Sequence, residues 1–209
     1  TPFISGKDSM FNDFKGYDTE GNPVHIAIPP TLLISSLGVM NDATKAVSLD
    51  AKWAGDLIYV LGETHNELGA SEYFAMVGEQ QRNEKYIGNA VPPVDASKNK
   101  ALYTSLSHAI EQEIVASAQS IHRGGLAVAL AKTAMGGKLG LDVSLENLVG
   151  TAARDDFMLY SESQGRIVVT VAPQYQHSFE EIMRGNAFSL IGHVTDDDLF
   201  AVQRRDGKS

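Results

Sequence analysis

Asp56-Leu57-Ile58-Tyr59-Val60-Leu61-Gly62 is the stretch on which the fold turns. β-Branched and aromatic residues follow one another and a glycine closes the run, which is the signature of a strand. Gly165 to Ala172 reads the same way around its core Ile167-Val168-Val169-Thr170-Val171. Leu139 to Val143, Phe188 to Val194 and Leu199 to Gln203 are further strands. Thr31 to Val39, a mostly apolar run between prolines and Asn41-Asp42, predicts another that is largely buried. Around these lie helical patterns. Ser71 to Val77 is a short helix with Ser71 as N-cap. From Lys100 to Ile121, Leu102, Leu106, Ile110, Ile114, Val115, Ala118 and Ile121 recur at three- and four-residue spacing, predicting one long amphipathic helix. Leu126 to Met135 is Ala-rich and apolar nearly all round, a buried helix. Ser178 to Arg184 carries a capping box, with Ser178 at the N-cap and Glu181 three residues on. Residues 1 to 30 read as loop with short extended pieces, and residues 82 to 100 as a connection. Strands and helices mix without a strict βαβ rhythm. The expectation is an α/β or α+β layered sandwich, a mixed sheet packed against helices, with no dinucleotide fingerprint and no internal repeat.

Bulk composition narrows the function. The chain has 209 residues, 43% hydrophobic and 21% charged, enough for one large domain or one domain with part of another. Its formal charge is −9 and no block of Lys or Arg occurs, which argues against DNA or RNA as partner. An acidic protein can still hold a phosphorylated metabolite through a local donor loop or a bridging Mg²⁺. The absence of cysteine excludes a thiol nucleophile, a Cys-based zinc site and a disulfide scaffold, and it fits a cytoplasmic protein. The apolar runs are too short to cross a bilayer, so no membrane role is expected. The opening Thr1-Pro2-Phe3-Ile4-Ser5-Gly6 has no signal-peptide pattern and no initiating Met, which predicts an excised piece.

Three stretches could carry chemistry. Ser5-Gly6-Lys7-Asp8-Ser9 holds the parts of a phosphate loop: a glycine for close approach, a lysine charge, serine donors and an aspartate suited to Mg²⁺. It lacks Walker spacing, and a polar surface turn is the plain alternative. Gly62-Glu63-Thr64 closes the best strand, while Leu68-Gly69-Ala70-Ser71-Glu72 opens a helix whose free N–H groups could meet an anion. A simple N-cap would read identically. Arg123-Gly124-Gly125 is expected between two helices, where Gly124 ends the first or presents the second to phosphate. Glu162, between turn-like residues and a strand, could be a metal or base carboxylate, although most such glutamates are simply solvated. No two of the six histidines stand at ligand spacing, so zinc has no support, and Asp196-Asp197-Asp198 reads as an exposed turn.

Taken together, these segments resemble a known family. Pro2 to Met10, Ile28-Pro29-Pro30-Thr31-Leu32-Leu33-Ile34-Ser35, Val60-Leu61-Gly62-Glu63-Thr64 and Leu68-Gly69-Ala70-Ser71-Glu72-Tyr73 resemble the second pseudo-repeat of the phosphoribosylformylglycinamidine synthases. So do Val94-Asp95 with Asn99 to Tyr103, Gly124 to Ala131, and Ser161-Glu162-Ser163-Gln164-Gly165-Arg166, all in family order. The resemblance implies the aminoimidazole ribonucleotide (AIR) synthetase superfamily. Residues 1–38 would be the tail of its N-terminal-type domain, and residues 39–209 its C-terminal-type domain, truncated at the C-terminal end. It implies a fragment of the ATP-dependent ligase that makes formylglycinamidine ribonucleotide from formylglycinamide ribonucleotide. In that reaction ATP phosphorylates the amide oxygen and ammonia displaces the phosphate.

Partners implied are the remaining half of the synthase, a glutaminase subunit or domain supplying ammonia, and a small-molecule substrate. Cofactors of the parent enzyme are ATP and Mg²⁺. No catalytic or metal-ligating residue is assigned here, since the family's catalytic His belongs to the other half. Substrate or phosphate binding is carried over to Gly6, Lys7, Asp8, Ser9, Gly69, Ser71, Gly124 and Gly125. One departure stands out. Many members have Asp-x-Ser-Asp-Gly-Gly-Leu where this chain has Ser120-Ile121-His122-Arg123-Gly124-Gly125-Leu126, so both acids are gone. Arginine cannot ligate Mg²⁺, though it can touch phosphate. The alternative is therefore a scaffold half that pairs with the catalytic half and binds no nucleotide. Ala70 also replaces a common second glycine, and an exposed Thr31 to Val39 face would favour self-association as a homodimer.

Overall fold

The computed structural model describes residue 6, residues 13–28 and residues 33–204. The chain divides into two compact units, Thr1–Asn41 and Asp42–Ser209. The first contains an antiparallel hairpin of β1 (Phe14–Tyr17) and β2 (Pro23–Ile26), with Phe14 opposite Ile26 and Tyr17 opposite Pro23. Asp18 organises its turn by accepting hydrogen bonds from the backbone N–H groups of Glu20 and Asn22, both at 2.9 Å. The strand expected from Thr31 to Val39 does not form over residues 33–39, and Leu33 and Val39 are 89% and 90% exposed. An apolar run becomes a strand only where a neighbour takes up its backbone groups, and among the described residues no strand pairs with it. Thr31 and Leu32 lie outside the described residues.

The second unit is built on a six-stranded mixed sheet. Its strands are β3 (Leu57–Leu61), β4 (Val115–Ser120), β5 (Gly140–Ser144), β6 (Ile167–Val171), β7 (Phe188–Thr195) and β8 (Phe200–Gln203), in the order β4-β6-β3-β7-β5-β8. All neighbours are antiparallel except β5 and β8. β3 sits inside the sheet, which is why its sequence is apolar without interruption: Ile58 and Val60 face one core, Tyr59 and Leu61 the other. The first core takes in α3 (Gly125–Gly137) and α4 (Asp155–Tyr160). Leu126 and Leu130 there are fully buried, which contributes about 1.5–3 kcal/mol each. The second core takes in α2 (Ala96–Glu111) and α5 (Gln176–Met183), where the Tyr59 and Phe179 rings meet at 4.9 Å. The expected layered sandwich, a mixed sheet packed against helices, is the observed fold.

The helices differ from expectation in several places: α4 has no counterpart in the sequence reading, α1 (Glu72–Arg82) runs past Val77, and α2 and α5 have other bounds. The periodic run from Lys100 to Ile121 is a helix only to Glu111. It begins earlier, where the Asp95 carboxylate caps it by accepting from the N–H groups of Ser97 and Lys98. The polar triplet Glu111-Gln112-Glu113 interrupts the apolar stripe, Glu113 takes a positive φ of 59°, and β4 follows. Val115, Ser117 and Gln119 are all buried, but a register irregularity between Val115 and Ser117 puts Val115 in the second core and Ser117 against Thr170 on the other face. The coincidental three- and four-residue spacing hides this extended segment. α5 does not start at a Ser178 cap either. A 3₁₀ turn at Pro173–Tyr175 runs directly into it, because proline suits a first helical turn, and Ser178 lies inside the helix. By contrast, α1 is capped as expected, the Ser71 hydroxyl accepting from Phe74 N–H at 3.2 Å.

Candidate functional site

The C-terminal end of β3 meets the N-terminal ends of β6 and β7, since Leu61 is opposite both Ile167 and Phe188. Gly62 turns the chain there with φ of 89°, and the loop that follows leads into α1. Thr64 fastens that loop to the segment before α4: its N–H donates to Val149 O, and its carbonyl accepts from Thr151 and Ala152. Below it lies Arg166, 1% exposed. Its guanidinium donates to Thr64 Oγ1 at 2.9 Å, Ser161 O at 2.5 Å and Ser163 O at 3.1 Å, so one side chain ties two loops together. Burial pushes the guanidinium down to about 10, opposed by the nearby Glu67 and Glu162 carboxylates, so it is charged at neutral pH.

A cavity of about 300 Å³ opens at this end of the sheet, lined by Glu63, His65, Glu67, Lys98, Asn99 and Asn186 among others. Glu63 is its hub. Lys98 Nζ lies 3.2 Å and His65 Nε2 3.3 Å from Glu63 Oε2, and the Lys98 bond holds the carboxyl below its usual range. His65 is further fixed by Thr151 Oγ1, 2.9 Å from Nδ1, and by its backbone N–H, which donates to Ser163 Oγ at 3.0 Å. The hollow therefore offers one ammonium, two carboxylates and neutral amides, a lining for a small polar molecule.

Beside it, the two helix N-termini singled out from sequence converge. Glu162 Oε1 accepts from Glu72 N–H at 3.0 Å, in the first turn of α1, and from Gly124 N–H at 2.9 Å, at the N-cap of α3. One carboxylate oxygen thus satisfies two helices. The Arg123 guanidinium is hydrogen-bonded to Glu72 Oε1. Gly124 is the N-cap of α3 and Gly125 its first residue, and the element before them is the strand β4 rather than a helix. Gly125 donates its N–H to His122 O, and a Cβ there would sit 2.6–2.7 Å from the Leu159 and Ser161 carbonyl oxygens. Gly69 donates to Ala90 O, and its own Cβ would meet Ala90 backbone at 2.6 Å. These two glycines serve close chain packing. Ser71 is buried as a cap, and Ser120 is exposed at the end of β4.

Gly69, Ser71, Gly124 and Gly125 are thus brought to one region, with their backbone N–H groups engaged inside the protein. Gly6 belongs to the first unit and is exposed, and Lys7, Asp8 and Ser9 lie outside the described residues. The Mg²⁺ that the sequence resemblance implied does not fit the α1–α3 junction: the carboxylates there are Glu72, paired with Arg123, and Glu162, bound to two N–H groups. Among the described residues, no group of three His, Cys, Asp or Glu side chains is arranged to hold a metal. Sequence reasoning had picked out Glu162 but not its partners, and it missed Arg166 and the Glu63–Lys98–His65 cluster. The signal for Arg166 was faint: a charged residue directly before a run of five β-formers.

Residues 54–205 match the family described as AIR synthase related protein, C-terminal domain. The chain is 33% identical over 184 residues to phosphoribosylformylglycinamidine synthase subunit PurL of Alkaliphilus metalliredigens, covering 88% of this chain and 22% of that protein. It therefore spans about a fifth of that relative. T. maritima PurL complexed with FGAR superposes with a TM-score of 0.68 at 24% identity, covering 79% of this chain and 28% of that one. The ATP complex of the same protein gives 0.60 at 22% identity, covering 78% and 26%. E. coli HypE gives 0.52 at 15% identity, covering 76% and 48%. These structures share its fold.

Proposed function

The chain belongs to the AIR synthase related family through its C-terminal domain, and from that premise we propose that it is part of the ATP-dependent amidoligase of purine biosynthesis. In this reading the assembled enzyme acts in the cytoplasm and converts formylglycinamide ribonucleotide to formylglycinamidine ribonucleotide, with ammonia from a glutaminase partner. The chain is inactive alone. Residues 1–38 belong to the N-terminal-type domain, where Gly6, Lys7, Asp8 and Ser9 serve substrate phosphate, and residues 39–209 form the C-terminal-type domain. ATP and Mg²⁺ belong to the remaining half, where the ligase chemistry proceeds. The share of this chain is packing and positioning.

One observation carries the division of labour: Glu162 Oε1 occupies both N–H groups at which a nucleotide phosphate would be received. It favours the scaffold reading, in which the second unit binds no nucleotide. The loss of acids at Ser120 and Arg123 points the same way, since arginine beside Glu72 repels a cation.

Isothermal titration of the chain with ATP and ADP, with and without Mg²⁺, tests it. The expected result is no saturable heat in any of the four combinations. Saturable binding that requires Mg²⁺ would sink the nucleotide-free reading.

A further inference from the structure

We propose that Glu162 is a built-in anion: its carboxylate takes the position of a phosphate at the α1–α3 junction and keeps external anions out. The inference rests on the scaffold reading above and supplies its device.

Two helix N-termini aimed at one point make a strongly electropositive spot. Left empty, it would attract phosphate or leave half-buried donors unpaired. Here the spot is filled from within. Glu162 is held by the chain on either side of it, since Ser161 is buried against the Glu67 carbonyl and the backbone N–H of Glu162 donates to Glu67 O at 3.1 Å. Ser161 O and Ser163 O, the backbone acceptors flanking Glu162, are both bound by the buried Arg166. The carboxylate is therefore preorganised and reaches both N–H groups without a further conformational step. An external phosphate would have to displace an intramolecular ligand of very high effective concentration. Arg123 adds to the exclusion: its exposed guanidinium, able to grip an anion, is engaged by Glu72. The balance is local: Glu162, Glu72 and Glu67 face Arg123 and Arg166, leaving no net positive charge to draw an anion in.

The test compares wild type, E162A and E162Q, with inorganic phosphate as probe and chloride at equal ionic strength as control. Two readouts are used: the backbone amide NMR signals of Glu72 and Gly124, and the melting temperature. In wild type neither amide should move with phosphate up to tens of millimolar, and the melting temperature should be unchanged. In E162A both amides should shift along one saturating curve, and phosphate should recover part of the lost melting temperature. Should E162A yield no folded protein in either buffer, E162Q decides. Its neutral amide oxygen holds the two N–H groups less strongly than a carboxylate, so phosphate should raise its melting temperature and not that of wild type. Wild-type amides that titrate with phosphate overturn the proposal. So does a folded E162A, or failing that E162Q, that responds no more than wild type. Mg²⁺-dependent ADP binding that leaves these two amides unmoved would defeat the scaffold reading and spare this inference. An unresponsive folded E162A would do the reverse.

Discussion

Replacing Arg166 with methionine should lower the stability of the second unit by about 2–4 kcal/mol, and the figure can be worked from its contacts. The guanidinium serves three acceptors, Thr64 Oγ1, Ser161 O and Ser163 O, at 2.5–3.1 Å, in a pocket that leaves it 1% exposed. Methionine fills similar volume but donates nothing. Each acceptor left unpaired in a buried place costs about 1–3 kcal/mol, roughly 3–9 in sum. Against that stands the relief of no longer burying a charge, several kcal/mol in practice, since no carboxylate pairs with it directly. The difference, at about 2–4 °C per kcal/mol for a chain of this length, corresponds to a melting point lowered by roughly 5–15 °C. Lysine should do no better, because it keeps the buried charge while losing the planar fork. Scanning calorimetry at neutral pH is the assay. The folded value of about 10 lies below the ordinary 12.5, so the desolvation cost is present at neutral pH and is relieved only as pH rises through 10. A methionine variant melting within about 2 °C of wild type would refute the reasoning, for it would mean that the three bonds only balance the buried charge.

Other consequences follow from single contacts. Gly125→Ala forces a side chain into φ of 68° and against two carbonyl oxygens at 2.6–2.7 Å, so it should cost about 2 kcal/mol or more in urea unfolding. Ser71→Ala removes the cap on Phe74 N–H and should cost about 1 kcal/mol, with faster amide exchange in the first turn of α1. Asp56 is 2% exposed with Oδ2 unpartnered, and burial raises its pKa above the ordinary 3.8. The folded state therefore holds the proton more tightly, and the penalty of the buried charge is fully present above the raised value and fades as pH falls through it. Asp56→Asn should accordingly raise the melting temperature at pH 7.5, with an advantage that shrinks on acidification. An advantage independent of pH would contradict the burial argument.

Much of the fold was legible because burial on both faces leaves a mark in one dimension. β3 and β6 announce themselves by short apolar runs rich in β-branched residues, and α3 by its all-round apolar surface. Ser71 was readable as a cap because capping is settled within four residues. The Lys100–Ile121 run misled because three- and four-residue spacing continued by accident across Glu111-Gln112-Glu113 into β4, and only sheet pairing with β6 decides that Val115 onward is extended. Thr31 to Val39 misled in the opposite sense, since an apolar run carries no statement about whether a neighbouring strand exists.

By itself the sequence determined the family, the layered mixed sheet and the positions of the glycine-rich turns, all properties of short windows and their order along the chain. Only the tertiary structure decided what those turns do. Glu162 is 90 residues from Glu72 and 38 from Gly124 in the chain, yet one of its oxygens joins them. Arg166 reaches Thr64 across 102 residues. Whether a helix N-terminus receives a phosphate or an internal carboxylate depends on which side chain the fold delivers to it. That is a matter of distance in space, on which spacing along the chain is silent.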